Sequence, residues 1–116
     1  MERMMIVEDH SAFAQALELV LGAGTEVVLA RTVEEGRALI GEGEPFDVVV
    51  LDLALPDGEG TELVPDIRQR HQPTRVAVLS AREDIGEVAS KAGADVAIPK
   101  ETPLPDIIST LRRLMY

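Results

Sequence analysis

The sequence lacks cysteine and tryptophan, and it has only two phenylalanines and one tyrosine among 116 residues. Without cysteine, disulfides and thiolate metal sites are excluded, and a chain of this length can bury a core without such links. With so few aromatic residues, that core must consist of Val, Ile, Leu and Ala. No apolar run approaches the roughly 20 residues of a membrane span. Residues 1–7 are too short for a signal peptide, so we expect a cytoplasmic protein.

Positive charge is also scarce, since 11 Lys and Arg face 21 Asp and Glu, a net charge of −10. Direct nucleic-acid binding needs basic residues that neutralise phosphates, and this composition argues against it. The excess of carboxylates favours cation binding instead.

Five short apolar runs, rich in Val and Ile, are spread along the chain. They are nearly continuous rather than alternating, which is typical of strands buried on both faces of a parallel sheet. The predicted strands are residues 3–7, 26–30, 47–53, 75–80 and 96–99.

Helical patterns separate these strands. Apolar residues recur at helical spacing in three sets: Phe13, Ala16, Leu17, Val20 and Leu21; Ile85, Val88, Ala89 and Ala92; and Ile107, Ile108, Leu111, Leu114 and Met115. Three helix starts are predicted: a capping box from Thr32 to Glu35, Thr61 as N-cap with Pro65 in the first turn, and Thr102 as N-cap before Pro103. The pattern predicts an α/β protein, a (βα)5 doubly wound parallel five-stranded sheet, with residues 1–116 as a single domain.

Polar residues close or follow four of the predicted strands: Glu8, Asp9, Asp52, Ser80 and Lys100. In open parallel sheets, ligands bind beyond the carboxyl ends of the strands, so these side chains mark the expected site.

The chemistry of this group suits phosphoryl transfer. A carboxylate such as Asp52, at the end of an apolar run, is costly to bury unless charge or hydrogen bonds compensate. Three carboxylates at one sheet edge repel one another, and Mg²⁺ would relieve that repulsion. With Asp52 as nucleophile, Mg²⁺, Ser80 and Lys100 could each bind one phosphoryl oxygen.

Three of these residues also have a simpler interpretation. Asp9 could cap the first helix, and Ser80-Ala81-Arg82-Glu83 fits a capping box. Lys100 could be an ordinary exposed lysine. It is the joint placement of these residues at strand ends that favours a functional site.

Four motifs resemble those of bacterial response-regulator receiver domains, in order and at the usual spacing. LDLALPDGEG at residues 51–60 resembles the phosphoacceptor segment, and MIVEDH at 5–10 the metal-binding acid pair. VLSA at 78–81 resembles the hydroxyl position, and IPK at 98–100 the lysine position. The resemblance covers nearly the whole chain.

The resemblance implies the flavodoxin-like strand order 2-1-3-4-5. It implies that Asp52 accepts a phosphoryl group from a histidine kinase or phosphotransfer protein, with Ser80 and Lys100 assisting. Asp9, Asp52 and the backbone carbonyl of Ala54 would ligate Mg²⁺, with Glu8 acting mostly through water. Such a domain is a signalling switch, and it catalyses only its own phosphorylation and dephosphorylation.

The start of the first helix after His10, and Glu101 after Lys100, most resemble receivers of regulators with helix-turn-helix DNA-binding domains. A C-terminal output domain, transcription regulation and homodimerisation on phosphorylation are therefore expected.

Two alternatives stay open. Ala97 stands where receivers usually carry an aromatic residue. This keeps open a pseudo-receiver, which would act through constitutive protein interactions. An aspartyl-nucleophile phosphatase would usually carry a second Asp where this chain has Ala54.

Overall fold

The computed structural model describes all residues from Met1 to Tyr116, and strands and helices alternate along the whole chain. All strand pairings are parallel, in the order β2-β1-β3-β4-β5. This confirms the predicted α/β fold and its strand order. No helix is both long and apolar enough to cross a membrane. The elements are β1 Glu2–Val7, α1 Ser11–Leu21, β2 Thr25–Ala30, α2 Val33–Ile40, β3 Val48–Leu51, a 3₁₀ helix Gly60–Leu63, α3 Val64–Arg70, β4 Arg75–Ser80, α4 Ile85–Ala92, β5 Val96–Pro99 and α5 Leu104–Met115.

The strand boundaries are close to those predicted, apart from β3. That strand was predicted over residues 47–53 but covers only Val48–Leu51. The amide of Asp52 still donates to the Val7 carbonyl, at 3.0 Å, and the chain then turns away from the sheet. Asp52 thus stands just beyond the strand rather than within it.

Helix starts were predicted less well. Thr32 does cap α2, since its hydroxyl accepts a 3.0 Å hydrogen bond from the Glu35 amide. Thr102 as an N-cap is wrong, because Pro103 occupies the N-cap position of α5 and the helix begins at Leu104.

Thr61 as an N-cap is also wrong. Glu59 precedes the 3₁₀ helix and forms a reciprocal capping box with Glu62. A carboxylate pair has taken the role predicted for the threonine hydroxyl. Pro65 does lie in the first turn of α3, as expected.

The core lies on both faces of the sheet, as the continuous apolar runs predicted. Met5 and Val7 of β1 face the cluster formed with α2 and α3, whereas Met4 and Ile6 face the cluster formed with α1 and α5. The predicted apolar face of α1 is interrupted at Val20, which is 38% exposed. With both faces covered, the polar ends of the strands are left for the site.

Candidate functional site

The carboxyl ends of three strands fix the main residues of the site. Glu8, Asp52 and Lys100 each extend a strand by one hydrogen bond to its neighbour. Their amides donate to the carbonyls of Ala30, Val7 and Ser80, at 2.9, 3.0 and 2.9 Å respectively. The sheet ladder therefore sets where each of these side chains begins.

Three carboxylates meet at this edge. One oxygen each from Glu8, Asp9 and Asp52 lie within 4.8 Å of one another. Glu8 and Asp52 are only 3% and 4% exposed, whereas Asp9 is half-buried. Clustered oxygen ligands with both buried and accessible members suit a hard divalent cation that keeps some of its water.

Lys100 is the positive charge closest to this cluster. Its Nζ lies 2.6 Å from Glu8 Oε1 and 3.1 Å from Asp52 Oδ2. No other group donates a hydrogen bond to that Glu8 oxygen. The ammonium also lies 5.2 Å from the centroid of the Phe13 ring, within range of a cation–π interaction. The two carboxylates and the ring together hold the lysine head group over the site.

The charges in the site shift two pKa values. Desolvation raises the pKa of Glu8; the hydrogen bond from Lys100 opposes this, and the neighbouring Asp52 adds to it. For Lys100, burial alone would lower the pKa, but the hydrogen bonds to Glu8 and Asp52 outweigh it and the pKa is raised. The single positive charge of Lys100 therefore compensates the negative charge of two buried carboxylates only in part.

The loop that leaves Asp52 requires glycine at two positions. Gly58 has φ +154° and pairs with Leu55 in an isolated bridge. At Gly60 a Cβ would clash with the Asp52 carbonyl oxygen, which accepts a 3.0 Å hydrogen bond from the Gly60 amide. Asp52 Oδ1 accepts from the Ala54 amide at 3.2 Å, so the loop also fixes the carboxylate. The Ala54 carbonyl accepts no backbone hydrogen bond.

The alternative capping roles of Asp9 and Ser80 are wrong. His10 occupies the N-cap position of α1, and its amide donates to Glu8 Oε2 at 3.1 Å. Ser80 is buried, and its hydroxyl accepts from the Arg82 amide at 3.2 Å, well before α4 begins at Ile85. Ser80 lies at the end of β4, next to β3. Its hydroxyl bonds to the loop between β4 and α4 rather than to the carboxylates.

Two further features were not predicted. The Asp57 carboxylate accepts hydrogen bonds from two amides at the start of α2. Arg82 bonds to Asp84 in its own loop and to Glu59 in the loop after Asp52. The partners of Asp57 and one partner of Arg82 are more than 20 residues distant, so no local sequence pattern could have revealed them.

Comparison with known proteins agrees with this arrangement. The family model described as the response regulator receiver domain matches residues 4–112. The chain is 36% identical to the response regulator protein PilR of Pseudomonas aeruginosa over 119 residues, which is 97% of the chain and 26% of PilR. It is also 36% identical to the KDP operon transcriptional regulatory protein KdpE of Escherichia coli over 115 residues, again 97% of the chain and 50% of KdpE. The chain therefore spans a quarter to a half of these relatives.

Solved structures give the same result. The non-phosphorylated HemR receiver domain of Leptospira biflexa matches with a TM-score of 0.87 and 30% identity, over 99% of this chain and 94% of that one. The response regulator TrrA of Thermotoga maritima, solved in complex with Mg²⁺ and BeF, matches with a TM-score of 0.84 and 25% identity, over 98% and 99% of the two chains. The match of the family model over most of the sequence and the shared fold show that the chain belongs to the receiver domain family of two-component response regulators.

Proposed function

We propose that this receiver domain is a phosphorylation-dependent switch that accepts a phosphoryl group from a histidine kinase on Asp52. The observation that carries the proposal is the burial of the Asp52 carboxylate between the acid pair and Lys100, whose Nζ is 3.1 Å away. A buried carboxylate held by one lysine and two glycine-dependent turns is fixed for attack in a way that a surface aspartate is not.

The metal ligands in this proposal are Asp9, Asp52 and the Ala54 carbonyl, with Glu8 acting through water. The donor set fits Mg²⁺, since it consists of oxygens alone and holds more negative charge than Lys100 neutralises. Bound Mg²⁺ would neutralise charge that develops on the transferring phosphoryl group. TrrA, with its bound Mg²⁺ and BeF, supports this part of the proposal.

The chemical step follows from the side chains. An oxygen of Asp52 attacks the phosphorus of the phosphohistidine, the P–N bond breaks, and the imidazole nitrogen keeps the electron pair and takes up a proton. Lys100 and Ser80 bind phosphoryl oxygens of the product. In the proposed switch the Ser80 hydroxyl, which now accepts a 3.2 Å hydrogen bond from the Arg82 amide, would move toward the phosphoryl group and donate to it.

The partners in this proposal are a histidine kinase or phosphotransfer protein and a DNA-binding output domain. KdpE is a transcriptional regulatory protein of twice the matched length, which supports an output domain for this chain too. Phosphorylation would then change the surface that the output domain or a second copy of the chain reads.

Incubation with a small phosphodonor and Mg²⁺, followed by intact mass, tests the phosphoacceptor. We expect the wild type to gain one phosphate and Asp52→Asn to gain none, because the amide is not a nucleophile toward phosphorus. Asp66→Asn, a change at a half-buried residue of α3 that pairs with Arg37, serves as the matched control and should gain one phosphate. An Asp52→Asn protein that still gained a base-labile phosphate would refute the assignment, and a wild type that gained none would favour a pseudo-receiver.

Thermal unfolding with and without Mg²⁺ tests the metal ligands. Binding to the native state alone adds about 1.4 kcal/mol to the free energy of unfolding when free metal is about ten times Kd. We expect this gain in the wild type and its near loss in Asp9→Ala, which removes a direct ligand. Metal-free Asp9→Ala should be at least as stable as the metal-free wild type, because repulsion at the site falls. Equal Mg²⁺ shifts in both proteins would contradict this ligand assignment.

A further inference from the structure

Asp57 joins the loop after the proposed phosphoacceptor to a different element of the fold. Its Oδ1 accepts a hydrogen bond from the Val33 amide at 2.8 Å, and its Oδ2 accepts from the Glu34 amide at 3.1 Å. These amides are the first two of α2, and amides at that position have no partner within their own helix. The pKa of Asp57 is lowered, chiefly by the hydrogen bond from Val33, as expected for a carboxylate at a helix N-terminus.

Helix α2 already has a local cap. The Thr32 hydroxyl accepts from the amide of Glu35, the third residue of the helix. That cap leaves the Val33 and Glu34 amides without a local partner, and Asp57 supplies one carboxylate oxygen to each of them from another loop. The same two hydrogen bonds therefore also hold the loop that carries Asp57.

That loop runs directly from Asp52 to the 3₁₀ helix. Its internal contacts are few: the Ala54 amide on Asp52 Oδ1, the bridge between Leu55 and Gly58, and the Gly60 amide on the Asp52 carbonyl. Outward from the loop, Leu53 and Leu55 are buried in the core, and Glu59 pairs with Arg82 of the loop after β4. Between Leu55 and Glu59, the Asp57 carboxylate adds two hydrogen bonds to α2.

Helix α2 is a firm anchor for this contact. Gly36 of α2 approaches the segment after the loop so closely that a Cβ there would meet the Leu63 side chain at 2.7 Å. Val33 and Ile40 of α2 are buried in the same core cluster as Leu63. A loop tied to this helix inherits its fixed position relative to the sheet.

We propose that Asp57 is a positioning residue for the metal site, and that its two hydrogen bonds to α2 couple metal binding at the acid cluster to the first turn of that helix. The inference rests on the proposed function, since it concerns the magnesium site assigned there. The Ala54 carbonyl lies three residues before Asp57, and the position of that carbonyl depends on where the loop is held. Because coupling is reciprocal, bound metal must also stabilise the contact with α2.

The test compares Asp57→Ala with Thr32→Ala in a magnesium titration that is monitored by NMR. Both variants remove a cap from the same helix turn and should lower stability, but only Asp57→Ala releases the loop. We expect the Kd for Mg²⁺ to rise about tenfold in Asp57→Ala, as when an outer-shell partner of a metal ligand is lost, and to stay unchanged in Thr32→Ala. In the wild type and in Thr32→Ala, Mg²⁺ should slow hydrogen exchange of the Val33 and Glu34 amides. In Asp57→Ala it should not.

Equal Kd values for the wild type and Asp57→Ala would overturn the inference and leave Asp57 as a cap alone. Weakened binding in Thr32→Ala of the same size would also overturn it, because helix stability rather than loop position would then be the cause. If Asp57→Ala does not fold, Asp57→Asn retains one acceptor oxygen, and it should still bind Mg²⁺ more weakly than Thr32→Ala. A wild type that binds no Mg²⁺ would instead overturn the proposed function, and this inference with it.

Discussion

The carboxylate of Glu8 is buried next to that of Asp52, and Lys100 is the cation that contacts both carboxylates. Burial and the charge of Asp52 both raise the pKa of Glu8, against the opposing hydrogen bond from Lys100. A raised pKa in the folded state means that the neutral form of Glu8 is the more stable one there. Its contribution to stability is therefore complete below the unfolded pKa, near 4.5, and is lost as the pH rises through the folded pKa.

Glu8→Gln tests this linkage in the metal-free protein. The amide retains most of the shape without the charge, so we expect the variant to exceed the wild type in stability at pH 7. The difference should be on the order of 1 kcal/mol, a common size for single substitutions, and should vanish near pH 4. Urea unfolding at the two pH values measures it. If the variant were less stable at pH 7, the attraction of Lys100 would outweigh the desolvation of Glu8.

For single residues, the sequence predicted which side chains would meet at the site better than it predicted their individual contacts. Glu8, Asp9, Asp52 and Lys100 could be predicted to meet, because parallel strands end at one edge and each residue follows a strand. The role of Asp57 could not be predicted, because an Asp-Gly pair reads equally as a simple turn.

Among the elements, the loops after β3 and β4 are linked by charge. The Arg82 guanidinium bonds to Asp84 at 2.9 and 2.7 Å and to Glu59 at 2.6 Å. The Arg82 amide also donates to the Ser80 hydroxyl, which the proposed switch requires to move. Movement of Ser80 toward a phosphoryl group would therefore disturb a loop that these ion pairs hold in place.

Glu59→Gln should loosen the β4–α4 loop while leaving the 3₁₀ helix capped, because the amide oxygen can still accept from the backbone. We expect faster hydrogen exchange at residues 81–84 in this variant. In the wild type, 0.5 M salt should have a similar effect, since exposed ion pairs are screened. Asp66→Asn, which removes a distant surface ion pair with Arg37, is the control and should leave that exchange unchanged. Unaltered exchange in Glu59→Gln would show that the ion pair does not restrain the loop.

The boundaries of the elements were predictable where hydrophobic burial decides them. Strands β4 and β5 were placed correctly because their apolar runs stop where the sheet stops. The start of α5 was misplaced because Pro103 and Pro105 both fit near a helix N-terminus, and their spacing does not say which one is helical.

Over the whole molecule, the proposed switch requires a signal to pass from the site to a surface that partners can read. The family resemblance implies that an aromatic ring on β5 usually fills space vacated by the hydroxyl residue. Here Ala97 pairs with Val78 across the strands and packs half-buried near Ile85 and Ala89. With only a methyl group at this position, the two states of the proposed switch would differ little in packing there, and a ligand shifts an equilibrium only by its differential interaction with the two states.

Amide chemical shifts recorded with and without Mg²⁺ and a beryllofluoride phosphoryl mimic test this consequence. We expect large changes at residues 52–58 and 80–84, because the mimic would bind Asp52 and draw the Ser80 hydroxyl away from the Arg82 amide. Changes along β5 and the outer face of α5 should be small, because Ala97 has no ring to reorient. Changes of comparable size in both regions would show that this chain transmits the signal through β5 without an aromatic residue. Small changes everywhere would mean that the mimic does not shift the conformation, as expected of a pseudo-receiver.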